Sequence, residues 1–323
     1  MKPVAVTLLT GFLGAGKTTL LRHILQARHG YKIAVIENEF GEVDIDRQIL
    51  GNRSTEIKTL TNGCICCSRS NELEAALLDL LDGLDNGQLE FDRLLIECTG
   101  MADPGPIVQT FFTHPALCER YLLDGVITLV DAVHADGQMN QFTLAQSQIG
   151  YADRIVLTKT DITPDYQPLL TRLKRINARA PVHLATHGNI DMALLFDTQG
   201  FMLEEKVLAP EPRFHFISES QNAVTSIVVE LDYPVDLNEV SRAMEDLLLQ
   251  FAERLLRYKG MLWIENHPQR LLFQGVQRLY SADWDRPWED NEQPASTMVF
   301  IGQDLPESEI RAAFAALKTP AEA

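Results

Sequence analysis

The segment that most restricts the fold is "GFLGAGKT" at residues 11–18. It matches the phosphate-binding pattern G-x-x-x-x-G-K-[S/T], which occurs after a buried β-strand and before a helix. Both flanks fit, because "VAVTLLT" is rich in β-forming residues and "KTTLLRHILQARHG" repeats apolar residues at helical spacing up to a glycine. The pattern predicts a P-loop, whose backbone N–H groups and helix N-terminus bind a phosphate. The competing interpretation is a glycine-rich turn that precedes Lys-Thr by chance.

Further apolar runs continue the alternation of strands and helices over the first 200 residues. The predicted buried strands are 32–37, 93–98, 125–132, 153–161 and 180–186, and the helical patterns include 71–83 and 138–150. Buried strands that alternate with helices predict an α/β fold with a mostly parallel sheet. We therefore expect a P-loop NTPase domain over residues 1–197, with its ligand at the carboxyl ends of the strands.

The sequence changes character near 197–213, a polar stretch with two prolines that predicts a linker over 198–212. Beyond it we predict a smaller α+β domain over 213–323, with an antiparallel or mixed sheet. Its predicted strands are 214–220, 223–233, 260–265, 270–284 and 296–302, and its predicted helices are 238–256 and 306–317.

Four groups in the first domain are candidates for catalysis on a nucleotide. Lys17 would bridge the β- and γ-phosphates, and the Thr18 hydroxyl would bind Mg²⁺. Glu97 ends a predicted strand in "ECTG", where its carboxylate would reach Mg²⁺ through a water, and the Gly100 N–H would approach the γ-phosphate. Glu37 ends another strand and should point at the same site. The residues expected to hold the phosphates are Gly11, Gly14, Ala15, Gly16, Lys17, Thr18 and Thr19.

"TKTD" at residues 158–161 also ends a predicted strand and resembles the guanine-reading Asn-Lys-x-Asp motif. In that role the Asp161 carboxylate accepts hydrogen bonds from guanine N1–H and the exocyclic amine, which adenine cannot supply. The stem of Lys159 would pack on the base. Thr158 stands where the motif has Asn, and an ordinary surface loop is the competing interpretation.

Three of the five cysteines, Cys64, Cys66 and Cys67, fall within four residues. Thiolates with nearby carboxylates form sites for Zn²⁺ or another borderline transition metal, and tetrahedral coordination needs about four ligands. Glu37 or Glu42, in an acidic segment between the P-loop and the cysteines, could complete the set. The alternatives are small buried residues, a redox switch and chance.

A weaker candidate for metal binding combines Glu74, on the helix after the cysteines, with His114 in "FFTHPAL". Together they would form an accessory metal site at the surface. A histidine that is satisfied within its own loop is the competing interpretation.

The composition and charge of the chain argue against some classes of binding partner. The net charge is −17 and no basic run stands out, which argues against nucleic acid or an anionic membrane surface as the main partner. No apolar run is long enough to span a bilayer. An odd number of cysteines in a long chain does not suggest a disulfide framework, so we expect a reducing cytoplasm.

The order of the motifs "GFLGAGKTT", "ENEFGE", "NGCICC", "ECTG", "TKTD" and "RYKGMLWI" resembles the CobW-type family of metal-handling P-loop GTPases over essentially the whole chain. The resemblance implies a GTPase with slow intrinsic turnover that binds a metal, often zinc, and delivers it to a client. Relatives serve urease, hydrogenase and cobalamin systems. By motif, it assigns the phosphates to residues 14–19 and the metal to Glu37, Glu42, Cys64, Cys66 and Cys67.

The implied ligands are GTP or GDP, Mg²⁺ and Zn²⁺, with Co²⁺ or another divalent transition metal as alternatives. The implied partner is an unidentified metalloprotein client, and a homo-oligomer is left open. The alternative function is a nucleotide-gated sensor of metal or thiol state with negligible turnover. A small-molecule kinase lacks support, because the sequence shows no second, Arg-rich substrate lid.

Overall fold

The computed structural model describes residues 3–27, 30–37, 56–59, 70–163, 165–196, 223–289 and 292–317, with the backbone only for 37, 56–59 and 70–72. The chain divides into two compact units, which are Met1–Thr171 with Ala180–Gly200 and Arg172–Arg179 with Phe201–Ala323. The linker predicted at 198–212 lies outside the described residues, so the domain boundaries stay predictions.

The first unit is built on a parallel sheet, as predicted, with seven strands among the described residues. They are β1 (Val4–Gly11), β2 (Ile33–Glu37), β3 (Glu56–Thr59), β4 (Arg93–Glu97), β5 (Tyr121–Asp131), β6 (Arg154–Thr158) and β7 (Val182–Ala185). Their order across the sheet is β3-β2-β4-β1-β5-β6-β7. Because β1 lies in the centre and every pair is parallel, the P-loop begins at the middle of the carboxyl edge.

The helices of this part of the chain connect the parallel strands. They are α1 (Lys17–Gln26), α2 (Ser70–Asp85), α3 (Pro104–Thr113), α4 (Pro115–Arg120), α5 (Ala135–Gln141), α6 (Thr143–Tyr151) and α7 (Gln167–Ile176). In α1 the apolar residues at helical spacing, Leu20, Leu21 and Ile24, are buried in one cluster with Leu9 of β1 and Ile127 of β5. This burial fixes the helix that begins at the P-loop against the sheet.

One predicted helix is two helices in the structure. The periodic stretch 138–150 is interrupted at Phe142, whose backbone is extended (φ −132°, ψ 113°) between α5 and α6. The Phe142 ring packs on Phe12 of the P-loop, with 5.0 Å between ring centroids. The helix is therefore broken at the residue that contacts the distant P-loop, and the local periodicity of the sequence does not show this break.

Residues 223–289 and 292–317 of the second unit form an antiparallel sheet with two helices, in agreement with the predicted α+β class. Its strands are β8 (Val224–Leu231), β9 (Leu255–Trp263), β10 (Gln269–Val276), β11 (Leu279–Pro287) and β12 (Ser296–Gln303), in the order β11-β10-β9-β12-β8. The helices are α8 (Leu237–Phe251) and α9 (Glu307–Ala315). Asp236 caps α8 by accepting from the N–H groups of Asn238 and Glu239, at 2.8 and 3.0 Å.

The predicted end of α8 at residue 256 is wrong. The helix ends at Phe251, and Leu255 begins β9, where it lies opposite Gly302 of β12. Leu255 is buried in the same cluster as Val240 and Met244 of α8. Its apolar character fits both structures, so periodicity alone extended the helix too far.

Candidate nucleotide site

The P-loop has the backbone that its glycines allow. Gly14 and Gly16 have φ values of +77° and +96°, in the left-handed region that other residues avoid. At Gly11 a Cβ atom would lie 2.4 Å from the carbonyl oxygen of Leu129 in β5. The predicted pattern of glycines is thus explained by two turns and one close approach of neighbouring strands.

Lys17 is buried inside this loop. Its Nζ donates to the carbonyl oxygens of Gly11 and Phe12, at 2.9 and 3.3 Å. Burial lowers the pKa of Lys17 from its ordinary value, although the carboxylate of Glu97 raises it. An ammonium held by two carbonyls in the loop is suited to donate to phosphate oxygens in the same place.

The predicted Mg²⁺ ligands lie together. Thr18 Oγ1 donates to Glu97 Oε1 at 2.9 Å, and Glu97 is buried at the end of β4. In the sheet Glu97 lies in register with Leu9 of β1 and with Glu37 of β2. Hydroxyl and carboxylate oxygens are the ligands that Mg²⁺ prefers, so this pair fits the expected ion.

The "ECTG" turn packs directly on the P-loop. A Cβ atom at Gly100 would lie 2.7 Å from Leu13 N and 2.8 Å from Leu13 Cα. The buried amide of Gln148 holds the turn, since its Nε2 donates to the carbonyl oxygens of Gly100 and Ala102 at 3.2 and 2.9 Å. Within the described residues, the buried Thr99 hydroxyl of this turn has no hydrogen-bond partner.

The "TKTD" loop is tied to the P-loop through Thr158. Its Oγ1 lies 2.9 Å from the carbonyl oxygen of Ala15 and 3.2 Å from that of Val130. The hydroxyl, which stands where the motif has Asn, thus connects the "TKTD" loop to the phosphate loop. Asp161 follows with its carboxylate 4.0 Å from His187 Nε2. This places the loop after β7 beside the carboxylate expected to read guanine.

Sequence reasoning missed Asp131, at the end of β5. Its carboxylate is buried and accepts from Lys159 Nζ at 2.7 Å, from the Val133 N–H at 2.9 Å, and lies 2.8 Å from His134 Nδ1. Burial by itself raises the pKa of Asp131, but the hydrogen bonds from Lys159, His134 and Val133 outweigh it and hold the pKa below its ordinary value. The available signal was "LVDA", an acid that ends an apolar strand as Glu97 does.

The start of α1 fits an anion. The N-cap Gly16 offers no side chain to the first-turn N–H groups, and no acidic residue lies in the first turn of this helix. These N–H groups and the helix dipole therefore favour a negatively charged ligand. With Lys17, the Thr18–Glu97 pair and Asp161 along the same sheet edge, the residues fit a nucleoside triphosphate with Mg²⁺.

The predicted metal residues are only partly described. Glu42, Cys64, Cys66 and Cys67 lie outside the described residues, as does the side chain of Glu37. The weaker pair is brought together, with His114 Nε2 3.4 Å from Glu74 Oε1. In the described residues no group of three or more His, Cys, Asp or Glu side chains could hold a metal ion, so this pair is short of a tetrahedral set.

Two sequence profiles match the chain. The nucleotide-binding domain described as CobW/HypB/UreG matches residues 5–184, and the C-terminal domain described as that of the cobalamin synthesis protein cobW matches residues 224–318. In the part that the structure describes, no helix has the length and apolar character needed to cross a membrane.

The chain is also similar to characterised proteins. It is 75% identical to the zinc chaperone YjiA of Escherichia coli over 318 residues, which covers 98% of this chain and 100% of YjiA. The crystal structure of Zn(II)-bound YjiA GTPase matches with a TM-score of 0.79 at 74% identity, covering 99% and 100% of the two chains. The Zn(II)-bound E37A, C66A, C67A triple mutant of YjiA matches with a TM-score of 0.80 at 73% identity and the same coverage.

Proposed function

Because the chain belongs to the CobW/HypB/UreG family, we propose that it is a GTP-hydrolysing zinc chaperone, which binds Zn²⁺ and passes it to a client protein in a cycle controlled by the nucleotide. The observation that carries the GTPase part is the convergence of Lys17, the Thr18–Glu97 pair and the "TKTD" loop on one edge of the parallel sheet. The zinc part rests on the relatives and on the cysteine cluster of the sequence.

In this proposal the P-loop binds the phosphates and the sheet edge prepares hydrolysis. Lys17 moves its hydrogen bonds from the carbonyl oxygens of Gly11 and Phe12 to the β- and γ-phosphates. Thr18 and Glu97 would hold Mg²⁺, which would neutralise charge on the phosphates, and the Gly100 N–H would approach the γ-phosphate. Glu37 ends the neighbouring strand β2 and is the fourth group proposed to act on the same phosphate. The full phosphate set is Gly11, Gly14, Ala15, Gly16, Lys17, Thr18 and Thr19.

Base recognition comes from the "TKTD" loop. Asp161 accepts from guanine N1–H and the exocyclic amine, and the Lys159 stem covers one face of the base. The Thr158 hydroxyl donates to the carbonyl oxygen of Ala15 at 2.9 Å. The loop proposed to bind the base is thus bonded directly to the loop proposed to bind the phosphates. GTP is thereby held by the P-loop and the "TKTD" loop, and the hydrogen bond from Thr158 to Ala15 sets the distance between these two loops.

Zinc is the cargo of the cycle. Its expected ligands are Cys64, Cys66 and Cys67 with Glu37 or Glu42, and Glu74 with His114 forms an accessory site. Glu37 ends β2 beside Glu97 of β4, so the phosphate and zinc subsites would share this part of the sheet. A tetrahedral ion that gains or loses one carboxylate changes its affinity without the site being dismantled.

The test measures both halves of the cycle. GTP turnover is followed with and without Zn²⁺, and Zn²⁺ affinity is measured by chelator competition with a non-hydrolysable GTP analogue, with GDP and without nucleotide. A coupling of about 5- to 150-fold in zinc affinity is expected, with the same factor in GTP affinity, because linkage is reciprocal. Equal zinc affinities in the three states would contradict the chaperone cycle. Negligible turnover with strong coupling would favour the nucleotide-gated sensor instead.

The zinc ligands are tested against the accessory pair. The E37A, C66A, C67A variant of YjiA is zinc-bound in its crystal, so total zinc content does not identify the principal site. We therefore compare Cys64→Ala/Cys66→Ala/Cys67→Ala with Glu74→Ala/His114→Ala. The first variant should lose tight, nucleotide-coupled binding and the second should keep it. The reverse result would move the cargo site to the accessory pair.

We propose that the client is a metalloprotein, still to be identified. We also propose that the cycle runs in the cytoplasm, where the cysteine thiols stay reduced. A pull-down with the chain locked by a GTP analogue, compared with the GDP form, would isolate nucleotide-dependent partners. Sedimentation of both forms would show whether a homo-oligomer takes part.

A further inference from the structure

Lys159 is held at its far end by a carboxylate that comes from another strand. The Lys159 ammonium donates to Asp131 Oδ2 at 2.7 Å, and the side chains of Lys159 and Asp131 are 35% and 1% exposed. Asp131 is the last residue of β5 and Lys159 follows directly after β6, and the two strands end in register at Asp131 and Thr158. A half-exposed stem is thus anchored at its charged end to a buried acid.

The backbone of Lys159 is fixed as well. Its φ is +59°, which is uncommon for a residue with a side chain. Its carbonyl oxygen accepts from the Ile162 N–H at 3.2 Å, and the preceding Thr158 is tied to Ala15 and Val130. With the backbone and the ammonium both fixed, the four-carbon stem between them has little freedom left.

The contacts of Asp131 divide into local and distant ones. The Val133 N–H and His134 Nδ1 follow two and three residues later and belong to the same turn at the start of α5. These two groups suffice to order the turn. The third donor, Lys159, lies 28 residues further along the chain, in the "TKTD" loop. A carboxylate that served the turn alone would not need it.

We propose that Asp131 is a positioning residue for guanine recognition, which holds the Lys159 stem against the face of the base without itself touching the nucleotide. The inference rests on the proposed function, because the base site is that of the proposed GTPase. A lysine stem that is already ordered loses less rotamer freedom when the base binds, which favours binding. Removing the anchor should weaken GDP about 10-fold, near the upper end of what immobilising one long side chain costs on binding.

The test is a double-mutant cycle on the full-length chain. GDP affinity is measured calorimetrically for the unmodified chain, Asp131→Asn, Lys159→Met and the double variant. If Asp131 acts through Lys159, Asp131→Asn weakens GDP about 10-fold alone but less than about 2-fold in the Lys159→Met background. His134→Gln is the matched control, because it alters another contact of the same carboxylate and should change GDP affinity less than about 2-fold.

Additive losses in the cycle, or an unchanged affinity in Asp131→Asn, would overturn the proposal. Thermal unfolding of each variant shows whether it is folded. If Asp131→Asn does not fold, Lys159→Arg and Lys159→Met replace it: Arg keeps a charge for Asp131 and should bind GDP more tightly than Met, and equal affinities would overturn the proposal. Absence of GDP binding by the unmodified chain would refute the GTPase assignment instead.

Discussion

Replacing Gly100 with alanine tests whether the "ECTG" turn sets the shape of the P-loop. The added Cβ atom would lie 2.6 Å from Leu13 Cδ2, 2.7 Å from Leu13 N and 2.8 Å from Leu13 Cα. The leucine side chain can rotate away, but the two backbone atoms can move only if the P-loop moves. Gln148 holds the Gly100 side of the contact through the carbonyl oxygens of Gly100 and Ala102, so the strain falls on the phosphate loop.

The magnitude follows from the cost of overpacking. Inserting a methyl group into a packed contact costs about 1–3 kcal/mol, and each 1.4 kcal/mol is about tenfold in an equilibrium constant. If the strain is released by displacing the P-loop, GDP affinity falls by about 5- to 150-fold while the unfolding temperature changes little. If the loop keeps its position, the same free energy appears as lost stability.

The assay combines GDP titration with thermal unfolding of the same protein samples. Gly137→Ala is the matched control: Gly137 lies in α5, its added Cβ atom has no atom within 4 Å among the described residues, and it should leave GDP affinity unchanged. Alanine should stabilise that exposed helix by up to about 1 kcal/mol. If Gly100→Ala matched the unmodified chain in both affinity and stability, the contact between the turn and the P-loop would be refuted.

Three further predictions concern single groups. In the proposed phosphate site the charged form of Lys17 binds the phosphates, and burial lowers its pKa, so GDP affinity should fall as the pH rises through a value below 10.5; titrations that stay flat up to pH 10.5 would contradict this. Asp161→Asn should weaken GTP and strengthen xanthosine triphosphate, since the hydrogen-bond acceptor becomes a donor; competition binding measures the ratio. Arg93→Met removes the guanidinium 2.6 Å from the buried Asp124 and should cost about 3–5 kcal/mol in denaturant unfolding, most of it recovered in Arg93→Met/Asp124→Leu.

Contiguous signals in the sequence were enough for most of the strands and for the P-loop with its glycines. They did not predict β3, and the stretch 270–284, predicted as one strand, forms the antiparallel pair β10 and β11. The phosphate-binding pattern lies within eight consecutive residues, and the structure shows why Gly14 and Gly16 stand in it, since both have a positive φ. The two fold classes were predicted for the same reason. The cysteine cluster was equally visible, and its zinc role stays a prediction because these residues lie outside the described parts.

Local signals failed where two structures suit the same apolar residues. Phe142 fits a helix, yet its ring lies on Phe12 and its backbone is extended between α5 and α6. Leu255 fits the end of α8, yet it begins β9 opposite Gly302. Periodicity indicates that a residue is buried. Which residues it packs against, and so whether it lies in a helix or a strand, depends on the tertiary structure.

In the candidate nucleotide site, too, local sequence signals were sufficient for some features and not for others. The sequence indicated that Glu97 and Lys159 end strands or follow them, but it could not indicate which strand ends are neighbours. That depends on the order of the sheet, in which β5 lies between β1 and β6. Asp131 and Lys159 are 28 residues apart and meet because β5 and β6 pair in parallel register. Local sequence signals therefore sufficed to predict the phosphate loop, whereas the ion pair between Asp131 and the "TKTD" loop exists only because the sheet brings two strand ends together.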